Sequence, residues 1–191
     1  MTIQKELKQV VDILQGYSFR ASIKEAIGAD IAVIQSKDIT DNIFIEFKNA
    51  AKIKKRDFNQ KFFLRQGDVL LSARGKFKAG LIKNISINSV ASSSVYILKV
   101  NNNIIHPEYL AIILNSTEWQ KKLDGISSGA IIKSILKREL EELKIAVPNL
   151  NKQKKIVEIF NNYKRQQKLL NQKIFLTNKI TNSLINKILN T

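Results

Sequence analysis

The C-terminal 41 residues constrain this chain more than any other segment. Residues 151–191 contain neither Pro nor Gly, and a four-three spacing runs through Ile156, Phe160, Tyr163, Gln167, Leu170, Ile174, Thr177, Thr181, Leu184 and Ile188. Seven of these ten positions are apolar, three are neutral polar and none is charged, although the same segment holds ten charged side chains. Segregation of this kind is what a coiled-coil seam requires. A helix over residues 152–189 would extend ~57 Å at 1.5 Å per residue. That is more than a globule built from the first 150 residues can cover, so the stripe predicts burial against a second helix.

The preceding residues have the makeup of one ordinary folded domain. The chain is 44% hydrophobic and 25% charged, with no Cys and a single His. Disulfides and thiolate metal sites are thereby excluded, and the residue types for a zinc centre are lacking. No apolar run approaches the length of a membrane span, and the start lacks the apolar core of a signal peptide, which predicts a cytoplasmic protein. Charge is distributed unevenly. Residues 48–83 carry 11 basic and 2 acidic side chains and residues 151–191 carry 9 and 1, whereas residues 1–47 carry 5 and 7. Two concentrated basic regions within a net charge of +16 favour a polyanionic partner, most often nucleic acid.

Apolar periodicity predicts a short helix over residues 3–14, with Ile3, Leu7, Val10, Val11 and Leu14 on one face and Gly16 as its cap. Strand-like runs follow at 31–34, 43–47, 62–64, 69–72, 80–82 and 95–100. No helix-length pattern separates them, so a mixed or antiparallel curved sheet fits better than a parallel one. His106 reads as a turn residue before Pro107, which opens a helix carrying Leu110, Ile113, Leu114 and Trp119 inward and ending at Lys121 and Lys122. A loop at 127–130, a short helix near 134–143 and a strand at 144–147 come next. Pro148 breaks the chain, and Asn151 is the expected N-cap of the long helix. The predicted class is α+β, with a globular domain at 1–150 and a helix at 151–191.

Motifs for dinucleotide, Walker-type phosphate, zinc-protease or serine-hydrolase chemistry are absent. With prolines only at 107 and 148, no Asn-Pro-Pro-Tyr motif of amino-methyltransferases exists either. One enzymatic alternative remains, a magnesium-dependent nuclease. Asp38 followed by Glu46-Phe-Lys48 supplies the residue types that hold a divalent metal and position a water. A richer signal is Gly67-Asp-Val-Leu-Leu-Ser-Ala-Arg-Gly-Lys-Phe-Lys-Ala-Gly, an apolar strand entering a loop with Arg74, Lys76 and Lys78 between Gly75 and Gly80. Arg can grip guanine or a phosphate with two hydrogen bonds. The run Lys52, Lys54, Lys55 and Arg56 suits backbone phosphates, which set affinity without setting sequence.

Several segments, in order, resemble the specificity subunit of type I restriction-modification systems, in a half-length form with one target-recognition domain. They are Val11-Asp-Ile-Leu-Gln-Gly-Tyr-Ser-Phe, Ile34-Gln-Ser-Lys-Asp-Ile-Thr, Gly67-Asp-Val-Leu-Leu-Ser-Ala-Arg-Gly and Ala91-Ser-Ser-Ser-Val-Tyr. Pro107-Glu-Tyr-Leu, Ile126-Ser-Ser-Gly-Ala-Ile-Ile-Lys-Ser and Leu143-Lys-Ile-Ala-Val-Pro-Asn-Leu-Asn-Lys-Gln complete the set, which ends in a Pro-x-Leu-x-x-Gln turn into the long helix. The resemblance implies a chain that reads half of a split DNA sequence, with the helix as ruler and scaffold. Chemistry would belong to separate methyltransferase and restriction subunits, so no catalytic residue, metal or cofactor is expected here.

Members of that family usually carry two recognition domains and two antiparallel helices, so this chain's second half would come from a second copy in a twofold homodimer. Antiparallel pairing about residue 172 sets Leu170 against Ile174, Gln167 against Thr177 and Phe160 against Leu184. Parallel pairing matches each residue with itself and stays open. Expected base-facing residues are Arg74, Lys76 and Lys78, then Arg20, Lys37, Ser92, Ser93 and Lys133, with Lys54, Lys55 and Arg56 on phosphates. The second functional alternative is a coiled-coil adaptor or decoy that binds methyltransferase subunits without reading DNA.

Overall fold

The computed structural model describes residues 2–23, 28–54 and 58–190. The chain divides into two compact units, Met1–Lys154 and Lys155–Thr191. The class is α+β, with mostly antiparallel sheets and a long C-terminal helix.

Among the described residues, three sheets organise the first unit. A four-stranded antiparallel sheet contains β2 (Val11–Gln15), β8 (Val95–Val100), β5 (Val69–Ser72) and β6 (Ala79–Leu81), in that order. A mixed sheet sets β3 (Ile31–Ile34) between antiparallel β4 (Ala51–Ile53) and parallel β7 (Ser89–Ala91). The third is an antiparallel ribbon of β1 (Thr2–Glu6) with β9 (Lys144–Pro148), in register Ile3 to Val147. All four residues of β3 are buried. Because strand side chains alternate between faces, Ala32 and Ile34 enter a core with Leu70, Ile82, Val95 and Ile97, while Ile31 and Val33 pack with Ile53, Phe58 and Val90. The mixed sheet is thus buried on both faces, which explains a strand that reads as a continuous apolar run.

The expected helix over residues 3–14 is absent. The segment forms β1, a 3-10 turn (Leu7–Gln9) and β2. Its Ile and Val residues are β-branched and pack better on a pleated surface. Residues 11 to 13 alternate buried, exposed and buried, and each strand of the segment finds a full partner, β9 for β1 and β8 for β2. Gly16 caps nothing. It is buried where a Cβ would collide with the carbonyls of Ser92 and Ala91, so it permits a close backbone approach instead. The expected strand at 43–47 reduces to a single parallel bridge from Phe44 to Leu81, and that at 62–64 to an antiparallel bridge from Phe63 to Val90 after a 3-10 turn (Gln60–Phe62).

The single helix expected after His106 is two: α1 (Pro107–Leu114) and α2 (Thr117–Gly125). Ser116 stops the run, because its hydroxyl accepts the N–H of Trp119 at 3.4 Å and caps α2. Trp119 is buried, and His106 is the N-cap residue of α1 without a side-chain cap bond. After α3 (Lys137–Glu142) and β9 comes α4 (Leu150–Leu189). Its N-cap is Asn149, not Asn151, since the Asn149 side-chain oxygen accepts the Lys152 N–H at 2.9 Å. The Pro148-Asn-Leu-Asn-Lys-Gln153 motif has a physical explanation. Gln153 is fully buried; its Nε2 donates to the carbonyls of Ile104 (3.0 Å) and Pro148 (2.7 Å), and its Oε1 accepts the His106 N–H (2.7 Å). Among the described residues, no helix is long and apolar enough to cross a membrane.

Candidate nucleic-acid interface

The loop joining β5 to β6 is tied at its base and its tip by hydrogen bonds. Gly75 takes φ +76°, a conformation that favours glycine. The Ser72 hydroxyl donates to the Arg74 carbonyl at 2.7 Å, and the Ser72 N–H donates to the Lys78 carbonyl at 2.9 Å. Phe77 is buried and anchors the tip, and Gln120 Nε2 donates to its carbonyl at 2.8 Å. Behind the loop, Asn115 Oδ1 accepts the Ala79 N–H (3.0 Å) while its Nδ2 donates to the Ala79 carbonyl (2.7 Å). With Phe77 turned inward, Arg74 and Lys76 are left exposed on either side of Gly75.

Opposite this loop lies a 3-10 turn (Ser36–Asp38) that presents Lys37 to solvent. Asp38 closes the turn by accepting the Gln35 N–H at 2.8 Å, and the Ser36 hydroxyl donates to the Ser94 carbonyl at 2.6 Å. The two loops enclose a cleft of ≈ 470 Å³ lined by Ser36, Lys37, Ile39, Thr40, Asp41, Ser72, Arg74, Lys76 and Lys78. Four cations face one carboxylate there, and that carboxylate, Asp41, pairs with Lys78 at 2.6 Å. A cleft lined by four cations, with the hydroxyl residues Ser36 and Thr40 among them, offers the donor types that phosphate oxygens and base edges accept from.

Arg74, Lys76, Lys78 and Lys37 therefore converge, although more than thirty residues of sequence separate Lys37 from Arg74. Lys133 is adjacent: Arg74 bridges Ser134, and the Gly75 N–H donates to the Lys133 carbonyl at 2.9 Å. Its ammonium lies 3.2 Å from Asp124. Ser92 is buried, with its hydroxyl 2.8 Å from that of Ser94, so it packs the domain and does not face the groove. Ser93 is half-buried and its carbonyl accepts from Gln15 Nε2 at 3.2 Å.

Arg20 and Lys54 are exposed elsewhere. Arg20 follows Tyr17 and Phe19 of the aromatic group that includes Phe58, and Lys54 follows β4. Lys55 and Arg56 lie outside the described residues. Sequence reasoning did not single out Ser36, Thr40 and Ser72 as cleft residues, although Ser36 and Thr40 stand inside the Ile34-Gln-Ser-Lys-Asp-Ile-Thr segment.

The nuclease triad has other engagements. Burial raises the pKa of Asp38, opposed by the Gln35 N–H and by Lys37, and its carboxylate is the closing member of the 3-10 turn. Glu46 pairs with Lys48 at 2.9 Å and accepts Asn42 Nδ2 at 3.2 Å, and the Lys48 ammonium holds its pKa below the ordinary value. Among the described residues, no three His, Cys, Asp or Glu side chains gather as a metal site would need.

Taken alone, the helix of the second unit presents its seam to solvent. Tyr163, Leu170, Ile174, Leu184 and Ile188 are 50 to 75% exposed, and Leu169, Phe175, Leu176, Ile180 and Ile185 add further apolar surface. Within the seam, Gln167 Nε2 donates to the Tyr163 hydroxyl at 2.6 Å, one turn away.

The fold, a sheet-rich domain followed by a long helix, is shared with solved specificity subunits of type I restriction-modification systems. The S subunit from M. genitalium superposes with a TM-score of 0.61 at 13% identity, over 86% of this chain and 39% of that one. The HsdS subunit from Thermoanaerobacter tengcongensis gives 0.62 at 18% identity, over 86% and 37%. In sequence, the chain is 26% identical over 194 aligned residues to a Methanocaldococcus jannaschii protein assigned as the specificity subunit of a type I restriction enzyme, MjaX, covering 96% of this chain and 44% of that protein. The family model of the type I restriction modification DNA specificity domain matches residues 3–182, and the chain belongs to that family. It spans less than half the length of the curated relatives it matches.

Proposed function

We propose that this chain recognises a specific DNA sequence, reading one half of a bipartite target on behalf of methyltransferase and restriction subunits that carry the chemistry. The observation that supports this best is the convergence of Lys37, Arg74, Lys76 and Lys78 on one cleft, with Lys133 on the neighbouring turn, in a chain of the DNA specificity family. Arg74 and Lys76 at the loop tip are the base-facing candidates. Lys54, together with Lys55 and Arg56, suits the phosphate backbone, and so does Arg20. On this reading the globular part, residues 1–150, is the recognition domain and residues 151–191 are the dimerisation and spacer helix.

Two copies would supply both halves of the target. Antiparallel coiled-coil pairing of α4 about residue 172 buries the exposed seam, matches Leu170 with Ile174 and Phe160 with Leu184, and relates two reading heads by a twofold axis. Helix length would then fix the gap between half-sites. Such a complex belongs in the cytoplasm, where the chromosome and the partner subunits are. Methylome mapping in cells that express this chain with a type I methyltransferase tests the reading. The expected result is modification at a palindromic split motif. An asymmetric motif would require a different second half, and no motif at all would leave the decoy reading in its place.

A further inference from the structure

The turn that carries Lys133 has an unusual composition for exposed backbone. Surface turns are ordinarily built from Gly, Asn, Asp and Ser, which supply the backbone angles and solvate their own peptides. Between the paired Ser128 and Ser134 stand Gly129, Ala130, Ile131, Ile132 and Lys133. Ile131 is 97% exposed and Ile132 63% exposed. Single exposed apolar residues are common, but two adjacent β-branched ones at the apex of a turn are not what solubility or turn geometry selects.

The tip is also held in place. Ser128 and Ser134 exchange both backbone hydrogen bonds, at 2.9 and 2.8 Å. The Gly75 N–H donates to the Lys133 carbonyl (2.9 Å) and the Ile135 N–H to the Ala73 carbonyl (3.1 Å), which laces the turn to the loop bearing Arg74. Buried Ile135 is fixed in turn by the Tyr96 hydroxyl, which donates to its carbonyl at 2.8 Å. At the base of the tip, Gly129 has φ +117° and no room for a Cβ against the Ile132 carbonyl. The two isoleucines therefore stand at a set offset from Arg74, with Lys133 beside them.

Building on the DNA-reading function proposed above, we propose that Ile131 and Ile132 form an apolar reading tip that enters the major groove beside Arg74 and packs against the C5-methyl group of a thymine. Lys133 next to the tip, paired with Asp124, and exposed Arg74 on the loop laced to it set the apolar tip in a basic neighbourhood that favours a polyanion. Of the groups the four bases present in the major groove, the thymine methyl is the apolar one. Isoleucine cannot donate or accept a hydrogen bond, so methyl contact is the selective interaction open to it. Arg74 would read polar edges or phosphate, and the tip would add discrimination where polar readout is silent.

The test uses the full chain, reconstituted with its methyltransferase subunits, on the duplex target found by methylation mapping. Each thymine of the half-site is replaced in turn by deoxyuridine, which keeps base pairing and deletes only the methyl. The wild-type chain is expected to lose about fourfold in affinity at one or two positions, as burial of one methyl implies. The Ile131→Ser, Ile132→Ser double variant is expected to bind the thymine and uracil duplexes equally. Both sites are solvent-exposed, and coincident thermal unfolding of variant and wild type verifies the fold. The proposal is overturned by a wild type indifferent to every replacement, by a half-site without thymine, or by a variant that keeps wild-type discrimination. A variant that keeps DNA discrimination and loses methyltransferase binding would make the tip a protein contact, which equally overturns it. In each of these outcomes sequence-selective binding by the wild type survives; its complete absence would instead remove the DNA-reading function itself.

Discussion

Gln153 accepts the backbone N–H of His106 at 2.7 Å, across 47 residues of sequence, and so ties the first turn of α4 to the start of α1. The same amide donates to Ile104 and Pro148, so all three of its bonds go to backbone. Gln153→Ala would leave three backbone groups short of a partner in a fully buried site. The expected cost is ~2–4 kcal/mol, from the penalty of unsatisfied buried polar groups. Denaturant unfolding followed by circular dichroism measures it, and a loss below 1 kcal/mol would mean that water replaces the amide.

Arg74→Ala should cost ~1–3 kcal/mol at one base position if Arg74 reads a base. Binding to a panel of single-substituted duplexes distinguishes the roles: equal weakening on every sequence reassigns Arg74 to a phosphate. For Lys76→Ala, a phosphate role predicts a log–log salt slope shallower by roughly 0.9. Asn115→Ala serves as the structural comparison. It touches no cleft residue directly but releases both backbone bonds of Ala79, so affinity should fall together with slowed-exchange protection of the β5–β6 loop.

Asp68 provides a pH dependence with a definite sign. Its carboxylate is buried and accepts Lys99 Nζ at 2.6 Å and the Arg65 N–H at 2.7 Å. Burial, the largest influence, raises its pKa above the ordinary 3.8, and the Lys99 and Arg65 bonds only partly offset this. The native state then binds more protons than the unfolded chain between the two pKa values, so stability from this group is full below the unfolded value and is lost as pH rises through the folded one. Asp68→Asn removes the titration. Relative to the variant, the wild type should lose stability as pH rises from the ordinary carboxylate range toward neutrality, measured by chemical denaturation at several pH values. A relative gain instead would mean that the Lys99 pairing outweighs burial.

The seam of α4 predicts its own disruption. Leu170→Asp with Ile174→Asp puts four carboxylates, two from each protomer, at the centre of the proposed antiparallel pair, and sedimentation should then show monomers where the wild type gives dimers. Orientation is read by cross-linking, which the absence of native cysteine makes clean. Phe160→Cys combined with Leu184→Cys should form disulfides between residues 160 and 184 of different protomers. Linkage of 160 to 160 and of 184 to 184, with none between 160 and 184, would establish the parallel arrangement.

Much of this was legible in the residues. The strands at 31–34, 69–72 and 95–100 and the long helix follow from apolar pattern, length and the absence of Pro and Gly, which are local properties. The 3–14 segment was not legible. Its apolar spacing satisfies a helical face, and only pairing of β1 with β9 and β2 with β8, more than eighty residues away, turns it into strands. Likewise, nothing local to Gly16 announces that the Ala91–Ser92 backbone will pass against it.

For the site, the sequence by itself determined the chemistry on offer: a basic loop between glycines, a second basic region, and an uncharged stripe along a proline-free helix. Only the tertiary structure decided which cations meet. It folded Lys37 and Arg74 onto one cleft, withdrew Ser92 into the interior, and laced the Ile131–Ile132 tip to the Arg74 loop. The physical reason is that side-chain type and periodicity are carried by neighbours in the chain, whereas the convergence of loops depends on sheet pairings whose register is set by distant strands.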